Sequence, residues 1–357
     1  MIGGSYMKVT KKPFGTTKDG EKASTYTIRN DHGMEVTLMD YGAIIMNVIV
    51  PDKNGNKEDV VLGYEKLSDY EVNGCGFGSF IGRHANRIGD AKANINGTIY
   101  PLEKNDGVNN LHSGFKSFDK YMYEVEIFEG EDEISIEFSR LSPDMEQGFP
   151  GNLDYSVTYT LTNDNELVLK YYAVSDQDTI ISFTNHSYFN LSGHNSGPVD
   201  SQEVWLKSEK ITAIREGLIP NGEYLNVAGT PMDFRKRKKI GQDIDADYTP
   251  LLMAGGYDHN YVLDITREEI EKVGELYDPK SGRLMEIFTD MPGLQLYSGN
   301  FIVNGTKGKN NAVYQKRSGI CFETQLYPNA CNIPEFPSPV VKAYEEFESV
   351  TIYKFSY

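Results

Sequence analysis

Apolar and polar residues alternate along this chain with a period of two, broken at short intervals by turn residues, and this pattern most narrows its fold. Tyr155-Ser156-Val157-Thr158-Tyr159-Thr160-Leu161-Thr162 alternates cleanly, Asn163-Asp164-Asn165 turns, and residues 166–174 run back, which predicts a hairpin. Ala93-Asn94-Ile95 and Thr98-Ile99-Tyr100 flank Asn96-Gly97, a dipeptide suited to a primed turn because both central residues need positive φ. Further strand pairs are expected around Glu129-Gly130-Glu131-Asp132 and Asp278-Pro279-Lys280-Ser281-Gly282. Only residues 266–272 look weakly helical, and Gly274 soon interrupts them. With 24 Tyr, 17 Phe and many β-branched residues in short runs, the expected fold class is all-β, a large antiparallel sandwich. Without an internal repeat or a linker, residues 1–357 are expected to form a single domain.

A net charge of −17 argues against a nucleic-acid partner, since a phosphate backbone is held chiefly by clustered Lys and Arg. The one basic run, Arg235-Lys236-Arg237-Lys238-Lys239, sits beside Asp243, Asp245 and Asp247 and is expected to be a solvated face. No apolar stretch approaches the ~20 residues of a membrane span, so no membrane partner is expected. The start, Met1 through Met7, lacks a basic region followed by an apolar one, which points to a cytoplasmic chain. Cys75, Cys321 and Cys331 are odd in number without a Cys-x-x-Cys pair, so they are expected to be reduced packing residues. His112, His186, His194 and His259 lie at long irregular intervals, so no metal is expected.

Several polar clusters stand out. Ser182-Phe183-Thr184-Asn185-His186-Ser187-Tyr188-Phe189-Asn190-Leu191 places a histidine in an apolar run between asparagines, as a proton carrier or as a hydrogen-bonded strand residue. Gly82-Arg83-His84-Ala85-Asn86-Arg87-Ile88 pairs an amide with a guanidinium, suited to neighbouring hydroxyls or to bridging loops. Asn109-Asn110-Leu111-His112-Ser113-Gly114 and Gly255-Gly256-Tyr257-Asp258-His259-Asn260 read as binding loops or as ordinary turns. In Pro292-Gly293-Leu294-Gln295-Leu296-Tyr297, Gln295 would share a strand face with Gly293 and Tyr297. Glu323, in Cys321-Phe322-Glu323-Thr324-Gln325, is a carboxylate among uncharged residues that must be paired, solvated or raised in pKa.

In this order these segments resemble the aldose 1-epimerase (galactose mutarotase) family. The resemblance extends from Pro13-Phe14-Gly15 through Asp40-Tyr41-Gly42-Ala43 and Asp59-Val60-Val61-Leu62-Gly63-Tyr64 to Phe336-Pro337-Ser338-Pro339, nearly the whole chain. It implies a galactose mutarotase-like β-supersandwich with a free monosaccharide in an open cleft and neither cofactor nor required metal. It further implies Glu323 as general base and His186 as general acid, with Asn86, Arg87, His112, Asp258 and Gln295 binding hydroxyls and Tyr188 lining the cleft. Three departures bear on loop shape: Tyr121-Met122-Tyr123 where a Trp usually follows Phe-Asp-Lys, Met145 where Gly is common, and Ala343-Tyr344 where Pro-Gly is usual.

Anomer interconversion needs a proton removed from the C1 hydroxyl and another delivered to the ring oxygen, so one base and one acid suffice. A glycoside hydrolase would instead need two carboxylates ~5–9.5 Å apart across the bond, and only Glu323 and Asp258 are obvious candidates. A non-catalytic sugar-binding module would not need both Glu323 and His186. A phosphorylated hexose would need a convergent basic pocket, for which Arg87 and Arg83 are the nearby cations.

Overall fold

A computed structural model describes residues 7–357, so residues 1–6 of the segment read for a targeting signal lie outside them. Period-two patterning becomes sheet throughout. Leu153–Thr162 and Glu166–Ser175 form the expected hairpin, with Tyr155, Val157, Tyr159 and Leu161 buried on one face. They lie within a nine-stranded sheet that runs from Glu124–Glu129 through Glu133–Ser142, this hairpin, Glu346–Ser356, Leu284–Thr289, Glu271–Tyr277 and Glu203–Leu206 to Lys238–Lys239. The strand pairs around 129–132 and 278–282 are thus present as well. At Asn96-Gly97 both φ angles are positive, 51° and 87°, as a primed turn requires.

A second sheet is a five-stranded meander, Lys8–Thr16 to Lys57–Asp59, and a third orders Ile219–Asn226, Ser208–Arg215, Asp258–Leu263, Gly293–Tyr297 and Cys321–Gln325. Among the described residues every pairing between named strands is antiparallel, apart from one isolated parallel bridge between His84 and Ser182, in agreement with the expected class. One apolar cluster draws Ile28 from the meander, Phe138 and Val157 from the large sheet, and Tyr261, Leu294 and Phe322 from the third.

Residues 266–272 are not helical. Bends fill 267–269 and the strand Glu271–Tyr277 follows, with the Glu271 carboxylate accepting the Thr266 N–H at 2.9 Å. Among the described residues the α-helices are two six-residue turns, Leu67–Val72 and Thr249–Ala254, and neither is long enough to cross a membrane. The basic run is a charge-paired surface: Arg235 meets Asp233 and Glu209, Arg237 meets Glu275, and Lys238 meets Asp243.

The departures from the family pattern have local explanations. Met145 and Tyr344 adopt left-handed φ of 62° and 63°, a conformation glycine reaches without strain, and neither lines the cleft described below. Tyr121 lies under the Arg140 guanidinium, 3.6 Å from its ring centroid, while the Tyr123 hydroxyl is bonded to Tyr155 at 2.9 Å.

Candidate active site

The site begins with the short strand Thr184–His186, which pairs with Ser79–Ile81 and packs beside Cys321–Gln325. Phe183 just before it is buried in a cage of Phe80, Phe118, Tyr155 and Tyr171 rings, 5.3–6.0 Å away between centroids. Each such buried ring contributes about 1.5–3 kcal/mol, enough to hold the His186 backbone rigidly. Gly78 donates to the His186 carbonyl at 3.1 Å, and a Cβ at Gly78 would lie 2.0 Å from the Ile45 carbonyl oxygen, so only glycine fits.

Register in the third sheet brings in the rest. Asn260, Gln295 and Glu323 lie directly opposite one another, as do Asp258, Tyr297 and Cys321 in the next row on the same face. Asn86 and His112 reach the site from loops in left-handed backbone, φ 62° and 49°. Together these elements enclose an open cleft of about 530 Å³.

Seven of the eight residues singled out from the sequence, Asn86, Arg87, His112, His186, Tyr188, Asp258 and Glu323, line this cleft. Gln295 lies just beneath, its amide nitrogen donating to Asp258 Oδ1 at 2.8 Å. Glu323 Oε1 is 3.6 Å from His186 Nε2, and its other oxygen is buried without a hydrogen bond. The Tyr188 hydroxyl is taken by the Cys75 carbonyl at 2.7 Å, leaving its ring 5.0 Å from the His186 ring. The asparagines flanking His186 do not orient its ring. Asn185 binds the Gly78 carbonyl and accepts from Ser187, whereas His186 Nδ1 faces the Cys321 sulfur at 3.6 Å.

Sequence reasoning missed several participants. Asp106 accepts from Arg87 Nε at 2.9 Å, and Asp119, Phe115, Tyr297 and Phe301 also line the cleft. Cys321 is more than packing, and Gln325 binds Asn86 and Gln295. The Asn105-Asp106-Gly107 turn was the only local hint for Asp106.

Electrostatics follow from burial. Burial pushes the Glu323 carboxyl well above its usual range, the Asp258 charge adds to this, and Arg87 opposes it. Burial pulls His186 down to about 4 against the attraction of Asp258 and Asp119. His112 is held well below its ordinary value by burial and by His186 and Arg87. For Arg87 burial favours the neutral form, but Asp258 and Asp106 outweigh it and keep the guanidinium charged.

His112, His186 and Glu323 bring their ligand atoms within 4.8 Å of one another, a donor set that suits a transition metal. The fit fails at His112. Its Nδ1 accepts the Asn86 backbone N–H at 3.0 Å, so the neutral ring carries its proton on Nε2, where a metal would need a lone pair. His194 and His259 are engaged elsewhere, with Tyr314 and the Pro250 carbonyl.

Known proteins resemble this chain over nearly its whole length. The family profile for aldose 1-epimerase matches residues 24–354. The chain is 38% identical over 351 residues to the galactose mutarotase of Sus scrofa, covering 98% of this chain and 99% of that protein. It is 33% identical over 339 residues to the aldose 1-epimerase of Escherichia coli K12, covering 94% and 96%. Among solved structures, galactose 1-epimerase from Lactobacillus acidophilus superposes with a TM-score of 0.86 at 27% identity, covering 98% and 99%. An aldose epimerase homologue from C. elegans gives 0.84 at 25% identity, with the same coverage. The chain belongs to the aldose 1-epimerase family.

Proposed function

We propose that this protein interconverts the α and β anomers of a free aldohexose, galactose or glucose, by acid and base catalysed ring opening and reclosure. Glu323 removes the C1 hydroxyl proton, His186 protonates the ring oxygen, and the C1–O5 bond opens to an aldehyde. Rotation about C1–C2 exposes the other carbonyl face, and reclosure with reversed roles yields the second anomer. The observation that carries this reading is the 3.6 Å approach of Glu323 to His186 on the wall of an open polar cleft.

The pair holds one proton between its two members. Opening leaves Glu323 protonated and His186 neutral, which is the state burial favours in both groups. The acyclic intermediate therefore meets the form of the pair that desolvation penalises least, and the ionised form is regenerated by proton transfer across their contact. Each positioned group contributes about 10²–10⁴-fold. Arg87, fixed by Asp106 and Asp258, together with Asn86 and His112, holds the hydroxyls so that the open chain stays in place.

An unphosphorylated sugar is favoured because Arg83 is fully buried outside the cleft, its guanidinium donating to the Pro150 and Gly151 carbonyls at 2.7 and 3.0 Å, while Lys120 on the cleft wall is paired with Asp119 at 3.0 Å. We further read residues 1–357 as a single domain, since the main apolar cluster takes members from all three large sheets. A reducing, cytoplasmic setting fits three free thiols, Cys75, Cys321 and Cys331. Polarimetry on freshly dissolved α-galactose and α-glucose, without nucleotide or metal and with EDTA present, tests the proposal. Rotation should decay faster than in buffer alone, and a decay no faster for either sugar would overturn it.

A further inference from the structure

Behind the cleft wall runs a chain of amides whose orientation is set at both ends. At one end Asp258 Oδ1 can only accept, so the 2.8 Å contact must come from Gln295 Nε2 and leaves the Gln295 oxygen facing inward. At the other end the Arg87 backbone N–H can only donate, at 2.8 Å, so Asn86 must offer its oxygen there and keep its NH₂ for the interior. Gln325 joins the two. Its Nε2 donates to Gln295 Oε1 at 3.2 Å and to Asn260 Oδ1 at 3.1 Å, while its Oε1 accepts from Asn86 Nδ2 at 3.4 Å. Turning the Gln325 amide over would set oxygen against oxygen at Gln295 and Asn260, and NH₂ against NH₂ at Asn86. Gln325 is fully buried and is not part of the cleft wall.

We propose that Gln325 is a positioning residue that ties Asn86 to Gln295 and holds both oriented amides in place for sugar hydroxyls. This rests on the sugar-binding reading above. With Gln325 in place, Asn86 presents a remaining N–H to the cleft beside the Nε2–H of His112, and Asp258 is held with one oxygen engaged by Gln295. The cleft thus offers donors from Asn86, Arg87 and His112 to hydroxyl oxygens, and an acceptor from Asp258 to a hydroxyl proton. Without Gln325 the Asn86 and Gln295 amides keep the polarity set by Arg87 and Asp258 but lose the partner that holds them in place.

Gln325→Met keeps length and removes the polarity. Galactose and glucose kinetics by polarimetry should show KM raised ~10-fold or more, the scale of one or two misdirected hydrogen bonds, with kcat altered less than ~3-fold and the pH profile unchanged. Combining Gln325→Met with Gln295→Met should cost less than the product of the single effects, because both cut one chain. Should Gln325→Met not fold, Gln325→Asn retains the polarity but loses reach, and is expected to raise KM in the same direction. A KM within ~2-fold of wild type in a folded variant, or a fall in kcat with KM unchanged, would overturn the inference. An inactive wild-type protein removes the proposed function and this inference together, whereas an active wild type beside an unaffected variant removes only the inference.

Discussion

Replacing Glu323 by Gln retains shape and deletes basicity, so turnover should fall by about 10²-fold or more while galactose still binds, as read by polarimetry and calorimetry. His186→Asn should lower turnover as well, since an amide cannot protonate the ring oxygen. Arg87→Ala separates binding from chemistry: it removes the cation between Asp106 and Asp258 and should raise KM. The pH–rate profile is an independent check. His186 held near 4 and Glu323 held above its usual range leave the pair with one proton between those limits. The acid limb should therefore lie well below pH 6.5, and both limbs should move together in either single variant. An acid limb at 6.5 would mean that His186 titrates as an exposed histidine. Linear motifs marked seven residues of the cleft wall, because each lies in a recognisable short run, but not Asp106, Phe115, Asp119 or Phe301. Contacts such as Asn86 to Gln325, separated by 239 residues, and Cys321 to His186, by 135, have no local signature because the fold alone creates them.

At the scale of elements, the strand Gly293–Tyr297 carries Gln295 and begins with a glycine whose absent side chain makes room for the site. A Cβ at Gly293 would lie 2.5 Å from Asn260 Oδ1 and 2.9 Å from a Tyr327 ring carbon. Gly293→Ala must therefore displace Asn260, a partner of Gln325. It should cost about 1–3 kcal/mol in urea unfolding and raise KM, and unchanged stability would show that the sheet yields at little cost. Hairpins were legible because alternation and turn chemistry act within a few residues, as at Asn96-Gly97 and at 163–165. The helical look of 266–272 failed for the same reason in reverse: its charged residues tolerate helix locally, but pairing of Glu271–Tyr277 with Leu284–Thr289 recruits the end of the segment into a sheet. Strand order was not legible. Glu346–Ser356 inserts between Glu166–Ser175 and Leu284–Thr289, a long-range choice made by packing.

For the whole molecule, histidine burial predicts how stability depends on pH. His84, His186 and His259 are each lowered to about 4 by burial, and burial also lowers His112 and His194. A histidine held low when folded binds its proton only in the unfolded chain between about 6.5 and its folded value, so stability falls as pH drops through that window. Each contributes up to about 1.4 kcal/mol per pH unit there. Glu323 acts oppositely: raised when folded, its contribution is complete below the unfolded value and is lost as pH rises, offsetting about one histidine above pH 4.5. Urea midpoints should therefore decline from pH 7 to pH 5. His84 isolates the cause, because it is fully buried and neither ring nitrogen has a hydrogen bond. His84→Leu removes a titrating group without orphaning a partner, so its stability should fall less steeply over the same interval, by about one proton's worth of slope. A variant whose slope matches wild type would show that His84 gains a proton in the folded chain as readily as in the unfolded one.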